Sequence, residues 1–256
     1  MMSDDVEHRN GARETVGIAS PLIEKLVGKW TDANVLYLDL LGTIGRLDEA
    51  RKVNRLRERQ EVALTQTSFV SALARDAQRF PVVRVEQLSD TAFAVCDDLE
   101  TLFLFAMNVL VDLTVYAHVY KRIPVPARGA ISRGIAEFHS DAASLAAIVN
   151  LCHSNFIGYG MADAYRIERA GPKGMRLFAA ESLVPGFPQW LRHRTAGGPK
   201  VGNADSFVEV NWMVFEDGGR HLREYPIAES ALREIANDWG GRAELQRSLN
   251  DLVSWV

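Results

Sequence analysis

The spacing of hydrophobic and polar positions changes several times along the chain, and each change marks an element. Asn34 to Asp39 is a β-favouring apolar run, Asn-Val-Leu-Tyr-Leu-Asp, which predicts a first strand ending on a carboxylate. From Leu47 to Arg79 the chain is rich in Arg, Glu, Ala and Leu and has no internal Gly or Pro. That stretch predicts a long helix, stopped by Pro81. Val82 to Val85 and Ala92 to Val95 then flank Ser89-Asp90, the signature of a hairpin whose turn carries Asp90.

Leu102 to Val119 is largely apolar and almost long enough for a membrane span, but Asn108, Asp112 and His118 interrupt it. An uncompensated carboxylate is costly in a bilayer, so the reading is a buried or interface helix without stable membrane insertion. Arg128 to Ala136 alternates with small residues, as a strand closely packed by another element would. A helix is expected over Met161 to Arg169, strands over Met175 to Ala180 and Phe207 to Phe215, and mostly helical periodicity from Glu229 to Val256. Ahead of all this, residues 1 to 18 are polar and Pro21 to Trp30 has the spacing of a short amphipathic helix. The division is therefore an N-terminal segment, 1–33, and a main domain with a helical C-terminal extension, 34–256. The element order fits an α+β fold, a mixed sheet with helices packed on it.

Composition narrows the partners. With 256 residues, 47% of them apolar, the chain can bury a sizeable core. A net charge of −4 argues against a broad nucleic-acid face and leaves small molecules and proteins as partners. Cys96 and Cys152 match no zinc spacing, and the Asp-, Glu- and Arg-rich start lacks the apolar stretch of a secretory signal, so a cytoplasmic location is expected.

The chemistry rests on the two strand-end aspartates, Asp39 and Asp90. Two carboxylates converging from neighbouring strand ends can hold divalent cations that bridge a polyphosphate. The backbone N–H groups of Leu41, Gly42 and Thr43 could cradle phosphates, with Gly42 allowing close approach.

Four segments in the same order resemble the class III nucleotidyl cyclase family. Asp39 with Leu40 to Thr43 resembles its first metal aspartate and phosphate loop, and Ser89-Asp90 its hairpin Gly-Asp. Arg128-Gly-Ala-Ile-Ser-Arg-Gly134 resembles its strand motif Arg-Val-Gly-Ile-His-Thr-Gly. Gly158-Tyr-Gly-Met-Ala-Asp-Ala-Tyr-Arg-Ile-Glu168 resembles its helix motif Gly-Asp-Thr-Val-Asn-x-Ala-Ser-Arg-Met-Glu without a gap. The resemblance spans roughly Asn34 to Phe215.

The resemblance implies a ferredoxin-like βαββαβ core and a homodimer with composite sites, one chain giving the aspartates and the other the arginine and base contacts. It implies two divalent cations, Mn²⁺ or Mg²⁺, on Asp39, Asp90 and the backbone of Leu40. It places Arg128 on the triphosphate and Arg166 on the transition state. The positions that read the base fall on Glu86 and Asn155, which lack the lysine and aspartate combination of adenylate cyclases. Two departures stand out: Ala162 replaces the helix asparagine, and the late phosphate-binding lysine has no clear equivalent.

The compact Leu-Gly-Thr opening and the Ser-Asp hairpin look most like the bacterial pyrimidine cyclases of Pycsar antiphage defence. The expected activity is conversion of UTP to 3′,5′-cyclic UMP, a second messenger for a separate effector protein. Cyclic CMP stays open because Asn155 could address either pyrimidine and Glu86 could accept from a cytosine amino group. A degenerate domain that binds nucleotide without turnover is the reading from a different class.

Overall fold

In the computed structural model, residues 31–42, 56–117, 125–138, 156–196 and 206–213 are described, with isolated positions between 230 and 251. The N-terminal segment before Thr31, Thr43, Asn155, Phe215 and most of the expected C-terminal helix lie outside the described residues. The elements run β1 (Thr31–Leu40), α1 (Leu56–Arg79), β2 (Arg84–Leu88), β3 (Thr91–Cys96), α2 (Leu99–Val111), β4 (Ala127–Phe138), β5 (Phe156–Ile157), α3 (Tyr159–Ala170), β6 (Leu177–Ala180), β7 (His193–Thr195) and β8 (Phe207–Val210).

Among the described residues seven strands form one sheet in the order β2-β3-β1-β4-β6-β8-β7, and β5 pairs with the end of β4. Its first half, β4-β1-β3-β2, is entirely antiparallel and is the order expected of a βαββαβ core. The parallel pairing of β4 with β6 then extends the sheet, so the fold is α+β as the periodicities implied.

Alternation along β1 separates two faces. Leu36, Leu38 and Leu40 pack with Phe69 and Leu73 of α1 and Phe103 and Met107 of α2 in the main core. Ala33 and Val35 turn to the other face, where they form a small cluster with Val95, Ala136 and Met161. That second face carries α3. The approach there is close because a Cβ on Gly134 would lie 2.9 Å from the Gly160 nitrogen, and one on Gly160 would lie 2.8 Å from the Val35 side chain. The Ser132 hydroxyl donates to the Gly160 carbonyl at 2.6 Å across the same contact. This is the tight packing that the small residues of β4 foretold.

The apolar helix is core. Leu102, Phe103, Phe105, Ala106, Met107 and Val109 are fully buried, and Asp98 caps the helix by accepting from the Thr101 N–H at 2.9 Å. Its continuation through a π-helical turn, Asp112–Tyr116, makes Leu99–Tyr116 long and apolar enough to cross a membrane by length and composition, yet two thirds of it is covered by the protein. Of the two readings, buried or interface, the described residues bear out the buried one, because the sheet and α1 cover most of its apolar positions.

Three short elements were not foreseen: β5, β7 and the 3₁₀ turn Glu181–Gly186. Each has two to six residues, too few for a period to show. At the far end of the sheet a buried ion network takes over. Arg176 donates to Glu209 at 2.5 Å and also bonds Asp251, while the Met175 N–H donates to the Ser248 hydroxyl at 3.2 Å. These contacts fasten described positions of the C-terminal segment to the residues just before β6, and Arg176 links them on to Glu209 of β8.

Candidate functional site

Asp39 stands one residue from the end of β1, in register with Thr91 of β3 on one side and Arg128 of β4 on the other. Like Val35 and Tyr37, it belongs to the alternate set of β1 that faces α3. The β2–β3 hairpin brings Asp90 to the same end, because the Leu40 N–H donates to the Asp90 carbonyl at 3.0 Å. The turn is tight: Ser89 adopts φ 59° and the Thr91 hydroxyl donates to the Leu88 carbonyl at 2.9 Å. A positive φ at the first of two loop residues suits a hairpin, and glycine is its usual occupant.

The loop after β1 is partly engaged. Gly42 has φ 80°, the left-handed conformation expected where the chain turns sharply. The Leu41 N–H, however, donates to the Pro126 carbonyl at 2.9 Å. Of the three amides expected to cradle phosphate, this one already has a partner, and Thr43 lies outside the described residues.

Arg128 meets a residue that the motif contained but to which no role was given. Its Nε and Nη2 both bond to one oxygen, Oε1, of Glu168 on α3. Glu168 is completely buried, and its other oxygen, Oε2, has no hydrogen-bond partner among the described residues. The sequence held a signal for it. Gly160, Ala164, Ile167 and Glu168 form the buried stripe of α3, and a carboxylate in such a stripe needs an explanation.

Arg166 lies on the other side of that helix. Its side chain is half exposed and donates to Asp163, one turn earlier, at 2.9 Å. It is not brought to Asp39 or Asp90 of its own chain by any described contact. Glu86 sits in β2 opposite Phe93, partly buried.

Electrostatics single out Asp39. Burial, then the Glu168 and Asp90 carboxylates, push its pKa up to about 7, against the opposing pull of Arg128 and Arg169. Burial likewise raises Glu168 in spite of Arg128. Tyr37, packed edge-on to Tyr165 at 5.4 Å and tilted on Phe93 at 5.1 Å, is raised by burial and by the nearby Asp39 and Glu168. The cluster is thus short of positive charge. Carboxylate oxygens in that state, with a backbone carbonyl at Leu40, are the hard donors a divalent cation takes, so the residues fit the group. Among the described residues no set of three or more His, Cys, Asp or Glu side chains converges as a metal site; two carboxylates would leave further positions for a phosphate ligand.

No family model matches the sequence, and no curated protein matches it. Solved structures do. The guanylyl cyclase Cya2 aligns with TM-score 0.55 at 13% identity over 77% of this chain and 99% of its own. The adenylyl cyclase CyaB from P. aeruginosa aligns with TM-score 0.51 at 12% identity over 70% of this chain and 93% of its own. The guanylate cyclase domain of RhGC from Catenaria anguillulae, solved with GTP, aligns with TM-score 0.52 at 13% identity, covering 71% and 96%. At such identities the likeness speaks for architecture, and this chain has the class III nucleotidyl cyclase fold.

Proposed function

We propose that the protein is a metal-dependent nucleotide cyclase that converts UTP to 3′,5′-cyclic UMP and pyrophosphate. The observation that carries the reading is the meeting of Asp39, Asp90 and Arg128 at one end of β1, on a fold shared with adenylyl and guanylyl cyclases.

The reaction forms a bond from the ribose O3′ to the α-phosphorus, breaks the α–β bridging bond, releases pyrophosphate and loses the 3′-hydroxyl proton to solvent. Asp39, Asp90 and the Leu40 carbonyl would hold divalent cations, which, when bound, lower the pKa of the attacking hydroxyl and neutralise phosphate oxygens. The chain's own groups do the rest. Arg128 offsets triphosphate charge, and Gly42 lets the backbone approach the phosphates. Arg166, not brought to its own chain's Asp39 or Asp90 by any described contact, offsets charge on the α-phosphoryl oxygens from a second copy, a contribution on the order of 3 kcal/mol.

A homodimer suits this division of labour. Tyr159 and Tyr165 are 71% and 42% exposed on α3, apolar surface on the helix that covers the Asp39 face of the sheet. Uracil is preferred because the Leu-Gly-Thr opening and Ser-Asp hairpin resemble the pyrimidine cyclases of antiphage defence. In that setting a cytoplasmic effector would answer to the cyclic nucleotide. Cyclic CMP is the second product to test, since Glu86 offers a carboxylate acceptor beside the hairpin.

The purified protein, incubated with Mn²⁺ and ATP, GTP, CTP or UTP separately, should yield cyclic UMP by mass spectrometry. A different cyclic nucleotide would overturn the base assignment. No product from a verified dimer would overturn the cyclase reading in favour of a binding module.

A further inference from the structure

The ion pair between Arg128 and Glu168 has an unusual economy. Arginine and a carboxylate commonly meet as fork to fork, two N–H groups on two oxygens. Here both contacts, from Nε and Nη2, fall on Oε1. Oε2 is left buried without a partner among the described residues, which costs native stability, and such unsatisfied groups call for a reason other than folding.

The reason lies in what the pairing leaves over. A guanidinium has five N–H donors in a fixed plane. Glu168 takes one from Nε and one from Nη2, so three remain, on Nη1 and the far side of Nη2. Those three form the edge that suits two oxygens of a phosphate. Glu168 is fully buried and α3 is locked to β4 at Gly134 and Gly160, so the plane cannot swing without moving the helix.

We propose that Glu168 is the positioning residue of this site, holding Arg128 by one edge so that the other edge is set for a polyphosphate. The assignment rests on the cyclase reading only in taking that anion to be a nucleoside triphosphate. Glu168 itself touches neither reacting atoms nor phosphate.

The test is binding of inorganic tripolyphosphate to the full chain by calorimetry, with turnover of UTP measured in parallel. Glu168→Ala is expected to weaken tripolyphosphate about tenfold, the loss of one oriented charge-assisted contact. Glu168→Gln keeps an acceptor oxygen for Nε and Nη2 and should bind within about threefold of wild type, a rescue that mere removal of charge would not give. Arg128→Ala should abolish the difference that Glu168 makes. If Glu168→Ala does not fold, Arg128→Lys carries the test: a lysine has no second edge, so binding falls about tenfold even though the charge is kept.

Unchanged or tighter binding by Glu168→Ala would overturn the assignment, because Glu168 would then only compete with the anion. Failure of the wild type to bind tripolyphosphate would overturn it too. Tripolyphosphate binding that follows this pattern, with no cyclic product from any nucleotide, would sink the cyclase reading and leave Glu168's role standing.

Discussion

The Leu40 N–H donates to the Asp90 carbonyl at 3.0 Å, so the strand end that bears Asp39 is bonded directly to the turn that bears Asp90. Backbone, not side chains, therefore sets the separation of the two carboxylates, and replacing either side chain leaves the frame intact. Asp39→Asn should abolish cyclase turnover while the protein stays folded.

That frame gives a direct test for metal. Mn²⁺ at about a hundredfold over its Kd should stabilise the wild type by about 3 kcal/mol, a rise of about 5 to 10 °C in Tm for a chain of this size. Asp39→Asn and Asp90→Asn should lose most of the shift. An equal shift in Asp39→Asn, followed by thermal melting, would place the cation elsewhere.

The hairpin turn is strained for a non-glycine residue. Ser89 at φ 59° is in the left-handed region, where a side chain costs roughly 1–2 kcal/mol. Ser89→Gly removes that cost but adds freedom to the unfolded chain, worth roughly 0.4–1 kcal/mol. A net gain of about 0.5 kcal/mol, read by urea unfolding, is expected with turnover retained. Ser89→Val should lose more than about 1 kcal/mol and, by displacing Asp90, slow the enzyme. A more stable Ser89→Val would refute the strain.

What the chain disclosed in advance follows from how local each signal was. Asp39 and Asp90 were legible because a β-favouring apolar run ends on the first and a two-residue turn contains the second, both short-range patterns. Arg128 opposite Asp39 is a matter of register between strands 89 positions apart, and only motif order hinted at it. Glu168 stayed hidden although it was the last residue of the helix motif. Its role needs α3 laid on β4, a long-range fact. The apolar α2 was legible as buried, but composition could not tell a helix buried in its own core from one buried in a partner.

A second buried carboxylate gives a pH signature independent of catalysis. Asp76 on α1 is fully buried, accepts from Arg79 at 3.1 Å through Oδ1 and has no partner for Oδ2 among the described residues. Burial first, then the Asp112 carboxylate, raises its pKa to about 6, against Arg79 and Arg75. The folded pKa lies above the unfolded one, so the native state holds a proton that the unfolded chain releases. Stability therefore falls as pH rises from about 4 to about 6, by roughly 3 kcal/mol. Asp76→Asn stays neutral and should escape that fall. Urea unfolding at pH 5 and pH 7.5 should show the variant gaining on wild type at the higher pH; parallel curves for the two proteins would contradict the assignment.

The proposed composite site can be tested by mixing two inactive variants. Arg166 bonds Asp163 on the exposed side of α3 and makes no described contact with its own Asp39, so in a dimer each site would join one chain's aspartates to the other's arginine. Asp39→Ala and Arg166→Ala should each be inactive, the second by about a hundredfold in kcat. Mixed and re-equilibrated, they would pair at random, and about half of the dimers would be mixed. In a mixed dimer one site carries both lesions and the other carries none. Activity should return to about a quarter of the wild-type level, reckoned from those proportions. Restoration demands that the two residues act from different chains. If the mixture stays as inactive as its parts although mass spectrometry shows mixed dimers, the site is built within one chain, and Arg166 must reach Asp39 by a movement of α3.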